Sequence, residues 1–293
     1  MTLVVGFAPG KDDRSPLEYA ATLARSAGED LLVVTVVPST WPIPIPSNPD
    51  GEFGSWARER GDRAAAEASG YLAEHCPDLH TRAIWAPGRS VPGALIEQAR
   101  QAEAKMIVVG SGRDGAYGYV HLSSTSDPLV HSSPVPVAIA TRGYRADRGA
   151  RIARVTCAFR GDEHSITTLV ATAEVCERVD AAMRVATFAV RGRTMYPPEI
   201  GVDIEDQILE ASVEQSIAAQ ERAIAALAVR PREITSEVSV GESWHAAVAR
   251  LTWLSNEVLV VGSSGEGTVS RLFLGSNATK IVRHAPVPTV IVP

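Results

Sequence analysis

The sequence predicts two tandem α/β domains, each a doubly wound, Rossmann-like parallel sheet with helices on both faces. Three observations predict this. Short runs of aliphatic residues alternate with longer segments of helical periodicity, the pattern of strands joined by helical crossovers. The strand runs Leu3–Phe7, Leu31–Val37, Met106–Val109 and Val258–Val261 are apolar almost throughout, as strands buried on both faces must be. The same order also occurs twice. Val108-Val109-Gly110-Ser111 returns as Val260-Val261-Gly262-Ser263, and Pro134-Val135-Pro136 as Pro286-Val287-Pro288, each 152 residues on (262 minus 110). Gly6-Phe7-Ala8 and Ala158-Phe159-Arg160 keep that spacing, as do Val33-Val34-Thr35 and Val185-Ala186-Thr187. A constant offset across four strands means one fold written twice with few net insertions.

The first copy, residues 1–142, reads in order. Leu3–Phe7 is strand one and Gly10–Ser15 a turn. Pro16–Ala27 is an amphipathic helix burying Leu17, Ala20, Ala21 and Leu23. Leu31–Val37 is strand two. Trp41-Pro42-Ile43-Pro44-Ile45-Pro46 is too rich in proline for helix or central strand. Glu52–Glu74 is a long alanine-rich helix, Thr81–Trp85 strand three, Gly88–Ala102 a turn and helix, Met106–Val109 strand four and Val135–Ala140 strand five. Thr141–Arg151 carries Arg and Gly without apolar periodicity and reads as a linker. The second copy, 152–293, has strands at Val155–Phe159, Ala182–Val190, Ile234–Val240, Val258–Val261 and Val287–Val292. Its helices fall at His164–Arg178, Asp203–Leu227, Trp244–Leu254 and from Ser276 to His284, with a loop through Met195-Tyr196-Pro197-Pro198. In such sheets ligands bind beyond the carboxyl ends of the strands, where the strand order reverses. The loops after strands one and four are therefore the ones to inspect.

Composition bounds the function. With 45% hydrophobic and 21% charged residues the chain is that of a globular protein, and 5% aromatics leaves the cores aliphatic. A net charge of −6 argues against a nucleic-acid groove or an anionic membrane surface as partner. Three scattered cysteines, Cys76, Cys157 and Cys176, form neither a disulfide framework nor a metal pattern, and fit a reducing cytoplasm. The start, MTLVVGFAPGKDD, lacks a basic segment before a long apolar one, so no signal peptide is expected. No apolar run reaches membrane-spanning length.

The most informative stretch is Val258–Pro293. An apolar strand ends on Gly262, a glycine-bearing segment follows, and Gly275-Ser276 opens a helix. Glycines let a backbone approach an anion, and free N–H groups at a helix start point at it. Gly262, Gly265, Gly275 and Ser276 spell G-x2-G-x9-G-[ST]. That spacing between two strands resembles the ATP-binding branch of the universal stress protein family, and the duplicated element order resembles a tandem member. The turn-and-helix elements Gly88–Ala94 and Gly241–Ala247 resemble the family's as well.

The resemblance covers nearly the whole chain. It implies the universal stress protein, or adenine nucleotide alpha hydrolase-like, type of fold and a stress-response role as sensor or regulator. It implies ATP as ligand, with magnesium as a companion ion. Gly262, Ser263 and Gly265 would wrap ribose and phosphates, and Gly275, Ser276 and Asn277 would hold the terminal phosphates. The family's Asp after strand one is replaced by Arg160, following Phe159, so an acceptor for the nucleoside is lost and a group able to meet phosphate or stack on a base is gained. In the first copy the corresponding positions are Ala8, Arg113 (for Gly265), Ser123 (for Gly275) and Pro128 (for Lys280). That copy is expected to be degenerate, with Arg113 filling the space a nucleotide needs. These departures leave one alternative, a nucleotide-independent interaction scaffold of the same fold. The loop shows no evident general base, so at most a slow ATPase is expected. Pairing through the last strands Val135–Ala140 and Val287–Val292, within the chain or in a homodimer, is expected from the family and from their apolar edges.

Other patterns lead elsewhere. Gly110-Ser111-Gly112-Arg113-Asp114-Gly115 spells a dinucleotide fingerprint but follows the fourth strand rather than the first. Gly6–Asp12 is one residue short of a P-loop and lacks the hydroxyl residue after Lys11. Gly262-Ser263-Ser264-Gly265 is no nucleophile elbow, because Glu266 occupies the last glycine's place. The seven histidines do not cluster, and His284 reads as a cation at a helix end. The acid pairs Asp12-Asp13 and Asp162-Glu163 read as favouring the start of the first helix in each copy.

Overall fold

The computed structural model describes residues 2–9, 13–39, 49–191, 202–263 and 274–293. The proline-rich Trp41–Pro46, the loop through Met195–Pro198, residues 10–12 and Gly265 lie outside these. The described chain forms two compact units, Met1–Arg151 and Ile152–Val292.

In the first unit the strands are β1 (Thr2–Gly6), β2 (Asp30–Pro38), β3 (Thr81–Gly88), β4 (Met106–Gly110) and β5 (Val137–Ala140). The helices are α1 (Ser15–Ala27), α2 (Pro49–His75), α3 (Val91–Gln101) and α4 (Ser126–Ser132). The strands run parallel in the order β3-β2-β1-β4-β5. The second unit repeats this with β6 (Arg154–Ala158), β7 (Ala182–Val190), β8 (Ile234–Gly241), β9 (Glu257–Gly262) and β10 (Thr289–Val292). Its helices are α5 (Glu163–Val179), α6 (Val202–Ala225), α7 (Trp244–Ala249) and α8 (Ser276–His284). Its parallel order is β8-β7-β6-β9-β10. The central strands are buried throughout their middles, Val4, Val5, Val108, Cys157 and Leu259 among them, which is why their sequences do not alternate. The order reverses between β1 and β4 and between β6 and β9, so each unit opens there beyond its strand ends.

β3 runs on to Gly88, α4 was not placed from the sequence, and several other ends differ by one to three residues; three of the differences have a plain physical reason. The last strands start two residues late in each unit, at Val137 and Thr289, each just after a proline that lacks the N–H for a ladder bond. α7 stops at Ala249 instead of running to Leu254. The reason is chemical: the Thr252 carbonyl accepts from Arg154 (2.7 Å) and Arg184 (3.1 Å), and the Trp253 indole N–H is held by the Val248 carbonyl (2.9 Å). The segment 141–151 is not a bare linker either. Tyr144 is buried, edge-on to Tyr19 at 5.5 Å between ring centres. Arg142 lies over the Tyr117 ring at 4.3 Å and exchanges backbone bonds with Gly118 and Tyr119. A single buried aromatic gives no periodicity, so this strap was invisible in the sequence.

Two glycines are fixed by close packing. A side chain on Gly241 would put its Cβ 2.3 Å from the Ala247 nitrogen, and one on Gly262 would put it 2.4 Å from Thr168 Oγ1. The first gives the β8–α7 turn its steric reason. The second shows that Gly262 is required where β9 meets α5, whatever else it does.

The second unit buries an ionic cluster at the amino ends of its strands. Arg184 (β7), Thr156 (β6) and Glu257 (β9) stand on three neighbouring strands. Glu257, with a side chain 0% exposed, accepts from Arg184 (2.8 Å), from Arg154 (2.6 Å), from the Thr156 hydroxyl and from the Leu254 amide (2.9 Å). The Arg184 guanidinium lies 4.8 Å from the Trp253 ring centre. Burial lowers its pKa, against the pull of Glu257. At the corresponding positions the first unit has Leu32, Val4 and Lys105. A buried pair is costly to break because the surviving partner stays uncompensated. Glu257→Gln should therefore destabilise the second unit by about 3 kcal/mol, read as a fall in its denaturant midpoint with unchanged slope. A shift within error of zero would mean that the two arginines reach solvent.

Candidate functional site

Each unit has a cavity at its switch point. The second unit's, about 170 Å³, is lined by Phe159 and Arg160 after β6, Gly262 and Ser263 after β9, and Gly275 and Asn277 at the start of α8. Six of the eight site residues expected from sequence thus meet around one space. Ser276 is exposed beside it without lining it, and Gly265 lies outside the described residues. Residues not assigned to the site from sequence complete the wall: Phe188, Thr187, Ser165, Trp244 and Ile281, with Asp162, which the sequence singled out as part of an acid pair. Trp244 could have been found. Ser243 caps α7 by accepting from the Ala246 amide at 3.1 Å, as Ser90 caps α3 through Gly93 at 3.2 Å. This pairing sets Trp244 where the first unit has Val91.

The decisive detail is how helix starts are satisfied. The first amides of a helix lack intrahelical partners and need an oxygen from elsewhere. At α8 the N-cap is Gly275, which has no side chain to supply one. Its φ of −57° and ψ of 157° are open to any residue, so the backbone does not demand glycine there. What glycine leaves is room. In the first unit Ser123 stands at this position, and its hydroxyl accepts from the amides of Thr125 (3.2 Å) and Ser126 (3.1 Å), while Ser126 Oγ takes the Ser123 amide (2.7 Å). The donors at the start of α4 are covered by Ser123, and among the described residues no side chain caps those at α8.

Arg160 is 64% exposed and paired with Asp162. Asp162 is also the N-cap of α5, accepting from the Ser165 amide at 2.8 Å. Burial works against its ionisation, but the Ser165 amide and Arg160 outweigh it and hold its pKa below the ordinary carboxylate value. The wall's other polar groups are also engaged. Thr187 Oγ1 donates to the Phe159 carbonyl (2.8 Å) and accepts from Gln220 (2.9 Å). Ser165 Oγ donates to the Asp162 carbonyl (2.9 Å) and accepts from Gly161 (3.0 Å).

The first unit's cavity is larger, about 600 Å³, bordered by Phe7, Val36, Val91, Asp13 and Arg113. Arg113 does not fill it: the side chain is exposed at its wall. Thr35 Oγ1, at this cavity, is buried and lacks the hydrogen bonds its counterpart Thr187 makes. His284 also departs from expectation. Burial, then His245 with its ring centre 5.5 Å away, then Arg283 lower its pKa, which favours the neutral ring over a cation. The three cysteines are free and buried, and burial pushes Cys157 and Cys176 up to about 12, so neither thiol is poised as a nucleophile. Among the described residues no three His, Cys, Asp or Glu converge as a metal set, and no helix is long and apolar enough to cross a membrane.

The depressed pKa of Asp162 fixes the sign of a pH effect. Its contribution is present above the unfolded value, about 3.9, and is lost as pH falls through the lower folded value. Asp162→Ala should cost about 1 kcal/mol at neutral pH through the lost cap. That deficit should shrink as urea unfolding is repeated below about pH 4; a deficit constant down to pH 2 would show that the carboxylate charge contributes nothing.

Comparison with known proteins follows the duplication. The model of the universal stress protein family matches residues 1–141 and again 152–293. A universal stress protein of Mycobacterium tuberculosis is 36% identical over 293 residues, all of both chains. Of solved structures, a universal stress protein from Archaeoglobus fulgidus has a TM-score of 0.61 at 19% identity, covering 99% of this chain and 97% of that one. Another from that organism, in complex with dAMP, covers 48% of this chain and 98% of its own at 17% identity, with a TM-score of 0.36.

Proposed function

Because this chain belongs to the universal stress protein family, we propose that it is a cytoplasmic stress-response regulator that binds ATP in its second unit. The observation that carries this reading is the uncapped start of α8 on the wall of a cavity at the β6/β9 switch point. Amides at a helix start are an anion seat, and the helix dipole adds favourable charge. Gly275 leaves a phosphate access to the amides of Ser276 and Asn277. Ser263 and the Asn277 side chain border the same space, and Gly265 is the motif's remaining position. In the first unit the Ser123 hydroxyl occupies the donors a phosphate would need, which supports reading that unit as the degenerate copy.

Among the described residues that line the cavity, Asp162 alone carries a carboxylate, and Arg160 and Ser165 engage it. No second carboxylate of the described residues is there to hold a magnesium ion or to pair with it in acid–base chemistry. The reading is of a binding protein.

A second reading has its own observation, the larger cavity of the first unit. Titration calorimetry of the full chain with ATP separates the two. One ATP per chain should bind with micromolar affinity, vanish in Gly275→Val and persist in Val36→Phe, which gives the first cavity the residue its counterpart carries at Phe188. The reverse pattern would move the nucleotide to the first unit. No heat with the unaltered chain would leave the nucleotide-independent scaffold.

A further inference from the structure

The second unit's cavity has aromatic walls where the first unit's has aliphatic ones, while the hydroxyls and carboxylate beside β6 are already occupied. Phe188 stands where the first unit has Val36, and Trp244 where it has Val91; all four border their cavities. Phe159 and Phe7 are shared. Aromatics make up only 5% of the chain, so three around one space of about 170 Å³ is a concentration. The space suits a flat ring, with the remainder of a nucleotide lying towards α8. Lys280 Nζ sits 5.5 Å from the centre of the Trp244 ring, a contact that holds the indole by cation–π attraction.

Reading the edge of a base requires hydrogen-bonding groups that are free to meet it. On the β6 side of this cavity the two hydroxyls and the carboxylate are not free. The Thr187 hydroxyl is bonded to Phe159 and Gln220, the Ser165 hydroxyl to Asp162 and Gly161, and the Asp162 carboxylate to Ser165 and Arg160. Of the uncommitted polar side chains among the described residues, Ser263 and Asn277 stand after β9 and on α8, on the side assigned above to phosphate, and His164 is exposed on the first turn of α5.

We propose that Trp244, with Phe188, is the specificity-determining element of this cavity, and that it recognises the face of a purine ring rather than its edge. Every base has a π-face, so stacking is tolerant of base identity. The chain then selects a purine nucleoside triphosphate as a class and discriminates poorly between ATP and GTP. The proposal rests on the reading that the second unit seats the phosphates.

The test is titration calorimetry of the full chain with ATP and with GTP, alongside tryptophan emission. The two affinities should agree within about threefold. Trp244→Leu, which keeps bulk without a π-face, should weaken both by about tenfold or more, while Trp244→Phe keeps most of the affinity and serves as the folding control. The chain has five tryptophans, so the emission change on ATP binding is assigned by its loss in Trp244→Phe. ATP binding that survives Trp244→Leu unchanged, or a preference for ATP over GTP beyond about thirtyfold, overturns the inference and leaves the phosphate seat standing. Failure of the unaltered chain to bind either nucleotide removes the seat and the inference together.

Discussion

A buried parallel sheet satisfies its own backbone along its length and leaves its open chemistry at the carboxyl ends, where loops and helix starts meet. There, the unpaired amides at the start of a helix must find an oxygen. The two units of this chain answer that constraint in opposite ways. Ser123 turns its hydroxyl onto the amides at the start of α4, whereas Gly275 offers α8 nothing. Two strand-ordered copies of one fold thus differ at this helix start by the presence or absence of one side-chain oxygen. The difference in cavity volume runs the other way, 600 against 170 Å³. Anion binding is decided by available donors, not by empty space.

The second unit also carries an ionic cluster away from the cavity. The cluster of Glu257, Arg184, Arg154 and Thr156 ties β6, β7 and β9 together at their amino ends. β6 and β9 are the strands whose other ends form the site. At the β9 end, Gly262 packs so closely on Thr168 that no side chain fits. Register is therefore fixed at one end by charge and at the other by contact, and the loops between which a ligand would sit start from determined points. A buried ion pair contributes little net stability and much specificity of arrangement in some systems, and its absence from the first unit, where Leu32 and Val4 stand instead, fits that division of labour.

Much of this was legible in the sequence. Period and offset gave the two sheets, since continuous apolar strands and a 152-residue repeat admit few other architectures. Strand order and glycine spacing pointed to the loops after β6 and β9, and six of the residues expected there line one cavity. What sequence could not supply was pairing. Whether Arg113 fills a cavity or lies on its rim is a matter of rotamer. That Tyr144 docks against Tyr19 joins residues far apart in the chain, with no local pattern to announce it. Asp162 read as a charge at a helix start and proved to be the N-cap as well as the partner of Arg160. Trp244 was legible only through the cap Ser243 shares with Ser90, because one aromatic at a helix start serves core packing or a ligand equally well until its neighbours are known. His284 looked like a helix-end cation until burial and His245 were counted.

The central claim is that uncapped amides at α8 seat a polyphosphate that the capped start of α4 cannot. Crystals of the chain grown with ATP test it most directly. The account predicts triphosphate density within hydrogen-bonding distance of the Ser276 and Asn277 amides, and none at Thr125 and Ser126. Density for the phosphates in the first unit, or a nucleotide in the second whose phosphates point away from α8, would contradict it.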